Sequence, residues 1–273
     1  MKTDVLGSQA LAASAASRGA AGAQYSLGQI LGIWALVAAP MALLAWVAAP
    51  ALIPASPLHP GITYWLLMIA GMGWQTVVAL AILYRELGTL RWGAVRGRIW
   101  AQTPRDPQTG EPARRLYWWL VPALAFSALV NLVLAGYLDA PVGRLLPQLQ
   151  LPPFANQAAL VSGAFEGAWW LLGVVLVSHL FNYFLGEELL FRGVLLPKMQ
   201  GVFGRSDWVA NAALFGLYHL HKPWMIPSLV VGSLAIAWPA RRFRSNWMAV
   251  VVHGVEGLPA LVLVPAVILG LLP

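Results

Sequence analysis

Ionisable residues inside apolar stretches are the part of this sequence best suited to chemistry. Glu187, Glu188 and Arg192 lie in one such stretch, and His219 and His253 lie in two later ones. Glu188 and Arg192 are four residues apart, a spacing at which opposite charges pair on a helix. Glu187 points about 100° away from Glu188 and is left without that partner, which suits a general base. These residue types favour acid–base chemistry in an apolar environment.

Three of these side chains form the set that hydrolysis of an acyl bond needs. Glu187 and His219 can share and activate a water molecule. His253, from a third segment, can donate a hydrogen bond to the developing oxyanion. We therefore predict that Glu187, His219 and His253 are catalytic, and that Glu188 and Arg192 support them.

The three catalytic candidates fall at one depth in a membrane. Glu187 lies eleven residues before Lys198, His219 lies twelve after Asp207, and His253 lies nine after Arg244. At 1.5 Å per residue these separations correspond to roughly 16, 18 and 14 Å. All three residues would lie near the middle of a hydrocarbon core about 30 Å thick. Ionisable groups at that depth are costly and usually functional, which predicts one buried polar site.

The elements that position these residues are apolar segments. Of the 273 residues, 59% are hydrophobic and only 10% are charged, whereas soluble domains carry about 25% charged residues. The sequence predicts an all-α, polytopic membrane bundle of about eight helices. The predicted spans are 27–52, 62–84, 116–137, 167–196, 207–221, 225–240, 245–256 and 258–272.

The first residues differ in composition from the rest of the chain. Residues 1–25 are rich in Ala, Gly and Ser and are predicted to form a flexible cytosolic tail. Residues 26–273 would then form a single membrane-embedded domain.

The distribution of basic residues predicts the orientation. With eight spans and both termini cytosolic, fifteen of the 17 Lys and Arg residues lie on the cytosolic side, and only Arg144 and Lys222 lie opposite. Such a bias is typical of cytoplasmic loops. It predicts an integral protein, in the cell membrane if the source is prokaryotic, with a site open to the cytosol. The net charge of +7 is assigned to lipid headgroups rather than nucleic acid, because the basic residues alternate with apolar spans.

The motifs resemble those of the CAAX prenyl protease and bacteriocin-processing family of intramembrane proteases (CPBP, or abortive-infection family). That family has Glu-Glu-x-x-x-Arg, Phe-x-x-x-His and His-x-x-x-Asn on successive membrane helices. This chain has Glu187-Glu188-x-x-x-Arg192, then Phe215-x-x-x-His219, then His253. The resemblance covers about residues 165–260 and implies an intramembrane endopeptidase. It also implies that Glu187 and His219 activate water and that His253 belongs to the oxyanion hole.

Position 257 departs from this pattern, since Gly257 stands where the family has Asn. Loss of one oxyanion donor typically costs ~10²–10³ in rate. We therefore expect a slow enzyme whose turnover rises when Gly257 is replaced by Asn. The alternative is a membrane scaffold or immunity-type protein that keeps the fold without the activity.

Cofactor and partner expectations follow from the same residues. The chain has no Cys, which excludes thiolate metal sites and a Cys nucleophile. The resemblance favours a mechanism without a cofactor, while Glu187, His219 and His253 leave a zinc site as the alternative. The expected partners are a membrane-associated peptide or protein substrate and the lipid bilayer.

Overall fold

The computed structural model describes residues 23–272, which are helical with no β-strand in that range. The main helices are Leu27–Ala55 (α1), Pro60–Leu87 (α2), Trp92–Arg98 (α3), Arg114–Leu145 (α4), Trp170–Lys198 (α5), Asp207–Tyr218 (α6), Pro223–Phe243 (α7) and Asn246–Ile268 (α8). Short helical turns cover Pro147–Leu149, Pro153–Ala155, Gln157–Leu160, Gly163–Phe165, Gln200–Phe203 and Gly204–Ser206. The predicted tail, residues 1–25, lies outside the described residues except for its last three.

Local sequence explains where the first helices begin and end. Ser26 and Gln29 form a reciprocal capping box at the start of α1, which satisfies backbone N–H groups that have no partner within the helix. His59 caps α2, and Pro60 occupies its first turn, where a missing N–H costs nothing. Gly88 ends α2 in the left-handed conformation (φ 68°).

The bundle exposes apolar side chains along its sides. Leu132 and Val262 are 84% and 68% exposed, although both lie within long apolar helices. In water such surfaces would be unfavourable, whereas hydrocarbon covers them without cost. An integral membrane protein with an all-α fold is therefore the architecture of the described chain.

Six of the described helices are long and apolar enough to cross a membrane: α1, α2, α4, α5, α7 and α8. The predicted count of eight is not confirmed. One difference is α6, which has only 12 residues and is about 18 Å long. The other is that the last two predicted spans form the single segment α8. Pro259 lies in the first turn after Gly257, where a proline continues a helix rather than reversing the chain.

Backbone contacts define the two ends of the bundle. The end that carries residues 88–113, here called the loop face, includes Trp100, whose carbonyl accepts a hydrogen bond from Asn246 N at the start of α8. At the other end, here called the opposite face, Gly167 N donates to Ile268 O at the end of α8. Helix α8 therefore runs from one face to the other. The described chain begins at the loop face, where Tyr25 N bonds Lys198 O, and ends at the opposite face.

Helices α6 and α7 form a hairpin that enters from the loop face. Its two ends are joined there by the ion pair between Asp207 and Arg241. Its turn lies inside the bundle, where Trp46 Nε1 donates to Leu220 O at 2.8 Å and Tyr64 Oη to His221 O at 3.3 Å. Irregular backbone at membrane depth is tolerated where protein groups satisfy it. This hairpin carries His219 into the interior.

Candidate active site

Helix α5 changes its winding where it carries the two glutamates. Phe181–Leu185 and Glu188–Leu195 are π-helical, and Gly186 N donates to Phe181 O at 2.7 Å. A Cβ on Gly186 would lie 2.4 Å from that same carbonyl oxygen, so the close turn requires glycine. Single π-helical turns occur frequently at functional sites. Here the turn places Glu187 and Glu188 on buried faces of α5.

Glu188 is the centre of a buried ionic group. Its Oε1 lies 3.1 Å from Arg192 Nη1 and 2.8 Å from His253 Nδ1. The side chains of Glu188 and Arg192 are both 0% exposed. The predicted pairing of Glu188 with Arg192 is therefore present, and the same carboxylate also orients the imidazole of His253.

Glu187 faces both histidines. Its Oε1 lies 3.9 Å from His219 Nε2, and its Oε2 lies 3.8 Å from His253 Nε2. His219 Nδ1 donates to Phe215 O at 2.8 Å, which leaves Nε2 of the neutral ring as an acceptor turned toward Glu187. These separations suit groups joined through a water molecule better than groups in direct contact.

Phe215 packs the site together. Its ring lies 4.9 Å from the ring of His219 and 5.5 Å from that of His253, both edge-on. The guanidinium of Arg192 lies over the same ring, 4.0 Å from its centroid. The aromatic residue of the second motif thus contacts side chains from all three motifs. The structure brings together every residue that the sequence predicted for the site.

Sequence reasoning missed the polar groups that hold Glu187. In the amide orientation that satisfies its neighbours, Asn182 donates to both Glu187 oxygens, at 3.1 and 3.3 Å. Tyr218 also hydrogen-bonds Glu187 and accepts a hydrogen bond from Gln75 Nε2. Asn182 precedes Glu187 by five residues, which places the two one turn apart on a π-helix but not on an α-helix. The only signal in the sequence was Gly186, which permits that winding.

A cavity of about 380 Å³ borders Glu187 and extends toward the opposite face. Its lining includes His221 and Lys222 from the hairpin turn and Ala155 and Asn156 from the connection between α4 and α5. The opening of the site toward the side of residues 85–115 stays a prediction, while the cavity beside Glu187 extends toward the other end of the bundle.

No group of three or more His, Cys, Asp or Glu side chains that could hold a metal ion is found within residues 23–272. Glu187 and the two histidines have the donor atoms that zinc accepts. The zinc alternative and the preferred mechanism without a cofactor both remain hypotheses.

Residues 167–256 match the family model of Rce1-like proteins, described as type II CAAX prenyl endopeptidase Rce1-like. This region of the chain is Rce1-like. The match confirms the resemblance predicted from the three motifs and covers α5, α6, α7 and the first part of α8. It leaves α1, α2 and α4 outside. Neither a curated protein nor a solved structure matches the chain.

The Rce1-like region coincides with the helices that contribute the clustered ionisable residues. Its limits, 167 and 256, agree closely with the predicted protease-like core of about residues 165–260. Gln75, from α2, is the one member of the hydrogen-bonded group named above that lies outside the match. The preceding helices therefore contribute to the surroundings of the site as well as to the bundle.

Proposed function

We propose that this protein is an intramembrane endopeptidase in which Glu187 and His219 activate water and His253 stabilises the oxyanion. The observation that carries the proposal is the arrangement of Glu187, whose two carboxylate oxygens face the two histidines at 3.9 and 3.8 Å. All three side chains are buried. The Rce1-like match over this region supports hydrolysis of a peptide bond.

The proposed reaction begins with a water molecule between Glu187 and His219. One proton of the water passes to the Glu187 carboxylate, while the other donates a hydrogen bond to His219 Nε2. The water oxygen forms a bond to the scissile carbonyl carbon, and the carbonyl electron pair moves onto its oxygen. Protonated His253, whose Nδ1 is held by Glu188, donates from Nε2 to this oxyanion.

Collapse of the tetrahedral intermediate breaks the carbon–nitrogen bond. The proton on Glu187 passes to the leaving nitrogen, so that the carboxylate is restored and an amine is released. Glu187 therefore serves first as general base and then as general acid. The reaction is balanced by water alone, with one carboxyl and one amine product.

We infer that substrate reaches the site from the opposite face or from the lipid beside it. The cavity that contains Glu187 is lined there by Ala155, Asn156 and Lys222. The proposed substrate is a peptide or protein segment held at the membrane, with prenyl-bearing peptides as one class to test.

Substitution of Glu187 by Gln tests the catalytic proposal. The change is nearly isosteric, so Glu187→Gln should keep its thermal stability in detergent while hydrolysis falls by roughly 10²–10⁴-fold. Glu111→Gln, at an exposed position in the loop, is the matched control and should hydrolyse normally. A panel of membrane peptides with and without prenyl groups, analysed by mass spectrometry, provides the readout. Turnover retained by Glu187→Gln would refute the assignment.

A non-catalytic scaffold or immunity-type protein is the second candidate, and Gly257 is the observation that favours it. In that case the wild type and Glu187→Gln would both leave the whole peptide panel uncleaved. Capture of the same membrane partner by both forms would then identify the scaffold function.

We propose that the loop face is cytosolic and that α8 ends on the other side of the membrane. All Lys and Arg residues of the loop and of the connections at that face support this orientation. The chain lacks Cys, so single cysteines can be placed at Gln108 and Leu271. An impermeant maleimide added to intact cells should label position 271 and not position 108. The reverse pattern would contradict the orientation.

A further inference from the structure

Gly257 is not beside an open space. A Cβ built on Gly257 would lie 2.3 Å from Tyr183 Cε2 and 2.7 Å from Tyr183 Cζ. It would also lie 2.7 Å from His179 Nε2. Separations this short cannot be accommodated unless the Tyr183 ring moves. The effect of Gly257→Asn on turnover stays a prediction, but the position of the Tyr183 ring opposes the expected rise.

The Tyr183 ring is held in this position by neighbours from two helices. It lies edge-on to His179, with ring centroids 5.0 Å apart, and edge-on to His253, with centroids 4.8 Å apart. His179 Nε2 in turn hydrogen-bonds Gly257 O at 2.9 Å. The aromatic ring thus fills the volume that a side chain at position 257 would occupy, next to the imidazole of His253.

The hydroxyl of Tyr183 belongs to the polar network of the site. It donates to Asn182 Oδ1 at 3.3 Å when the Asn182 amide nitrogen faces Glu187. The hydroxyl oxygen is bonded to Cζ, the atom 2.7 Å from the virtual Cβ. A phenol O–H is a hydrogen-bond donor, as is the amide of the asparagine that the family pattern has at position 257.

We propose that Tyr183 is a catalytic residue that replaces this asparagine and donates the second hydrogen bond to the oxyanion, beside His253. The inference rests on the proposed peptidase function. In the reaction the Tyr183 O–H turns from Asn182 to the oxyanion, and no proton is transferred. Gly257 is then the complement of Tyr183, because any side chain at position 257 would displace the phenol.

Removal of the hydroxyl is the first test. In Tyr183→Phe we expect kcat to fall ~10²–10³-fold, the cost of one oxyanion donor, while KM changes only a few-fold. Tyr137→Phe is the matched control, because Tyr137 is 79% exposed and distant from Gly257 in the chain. A phosphinic peptide, whose anionic oxygens imitate the oxyanion, should bind Tyr183→Phe more weakly than wild type, whereas an uncleaved substrate-like ketomethylene peptide should bind both equally.

A rescue experiment tests the exchange between the two positions. Gly257→Asn alone should lower both thermal stability and turnover, because the new side chain would displace the Tyr183 ring and its hydroxyl. In the Tyr183→Ala background, which removes the ring, Gly257→Asn should raise turnover at least tenfold over Tyr183→Ala. Gly257→Ala in that background is the control, because it adds a side chain at position 257 without a hydrogen-bond donor. It should not restore turnover.

The outcomes separate this inference from the function on which it rests. If wild type cleaves none of the panel, the proposed function fails and this inference fails with it. If wild type and Tyr137→Phe cleave peptides and a stably folded Tyr183→Phe cleaves them equally well, only the inference is overturned. Unchanged phosphinic-peptide affinity in Tyr183→Phe would overturn it independently of turnover.

Discussion

Two buried carboxylate–arginine pairs contact the same stretch of α5 in different ways. At the loop face, Arg98 Nε lies 2.6 Å from Glu86 Oε2, and the guanidinium also donates to the carbonyls of Gly193 and Val194. Inside the bundle, Arg192 binds Glu188 through Nη1 alone. The first pair joins α2 and α3 to the backbone of α5. The second lies within α5 and extends to His253.

The two pairs differ in how completely their polar atoms are satisfied. All three guanidinium nitrogens of Arg98 have hydrogen-bond partners. Arg192 Nε and Nη2, in contrast, have no hydrogen-bond partner in the part of the chain that the structure describes, and the guanidinium lies over the ring of Phe215. A buried pair with incomplete hydrogen bonding contributes little net stability. The difference indicates that the outer pair fastens helices, whereas the inner pair positions His253.

The largest effect is expected when the inner pair is broken on one side. Arg192→Met leaves the Glu188 carboxylate buried without its cation, which should lower the free energy of unfolding by about 3–5 kcal/mol. Hydrolysis should also be lost, because a buried carboxylate without the guanidinium favours its neutral form and then no longer holds the imidazole of His253 in place. Unfolding in mixed detergent micelles and peptide turnover provide the two measurements.

Removal of both charges sharpens this test. In the double variant that combines Glu188→Met and Arg192→Met, no buried charge is left without its partner. Most of the stability lost in Arg192→Met should therefore return. Activity should not return, since His253 still lacks its acceptor. A double variant as unstable as Arg192→Met would show that the inner pair stabilises the fold, as the outer pair does.

A smaller and different effect is expected at the outer pair. Arg98→Met leaves the carbonyls of Gly193 and Val194 without their donor, which should lower the free energy of unfolding by about 1–3 kcal/mol. The folded fraction should keep its turnover within a few-fold, because Arg98 contacts none of the catalytic side chains. The ratio of turnover to folded protein separates the two effects. A loss of turnover as deep as that in Arg192→Met would remove the distinction between the pairs.

The fold was predictable where charge or length constrains it. Long apolar segments predicted α1, α2, α4 and α5. The number of helices after Arg244 was not fixed by the basic residues, because no Lys or Arg follows that position. The charge asymmetry is therefore the same whether the chain reverses direction at Gly257 or continues through it as the single helix α8. Helix α6 was predicted as a span from its apolar composition, but its 12 residues are shorter than a membrane span requires.

The site was predictable where its residues occur in recognisable spacing. Glu187, Glu188, Arg192, His219 and His253 were all identified from three short motifs, and the structure brings them together. Their assigned roles remain predictions. Asn182 was missed because it lies five residues before Glu187, and the π-helical turn that aligns the two is a tertiary feature. Tyr183 lies four residues before Glu187, an ordinary α-helical spacing, but no motif singled it out. Gly257 was interpreted as a missing donor because the sequence does not show which ring fills its place.

The smallest effect is expected at an exposed carboxylate–arginine pair, which joins the loop to the first turn of α4. Arg115 Nη2 lies 3.0 Å from Asp106 Oδ2, but the Arg115 side chain is 77% exposed. The pKa of Asp106 is lowered first by a hydrogen bond from the backbone N–H of Gln108, and the Arg115 side chain contributes less. Exposed ion pairs are screened by solvent and contribute little. Arg115→Gln should therefore leave thermal stability at neutral pH and peptide turnover unchanged within error.

The dependence of stability on pH tests the prediction for Arg115→Gln more strictly. Because the folded-state pKa of Asp106 is depressed, its contribution to stability is present above the ordinary aspartate pKa and is lost as pH falls through the lower folded value. Most of that depression should survive in Arg115→Gln, since the Gln108 N–H remains. The acid limb of a stability-versus-pH curve should then nearly overlay that of wild type, whereas Asp106→Asn should change its shape. A clear displacement of this acid limb in Arg115→Gln would mean that even an exposed ion pair stabilises the loop. Burial would then no longer predict which of the three compared pairs has the larger effect on stability.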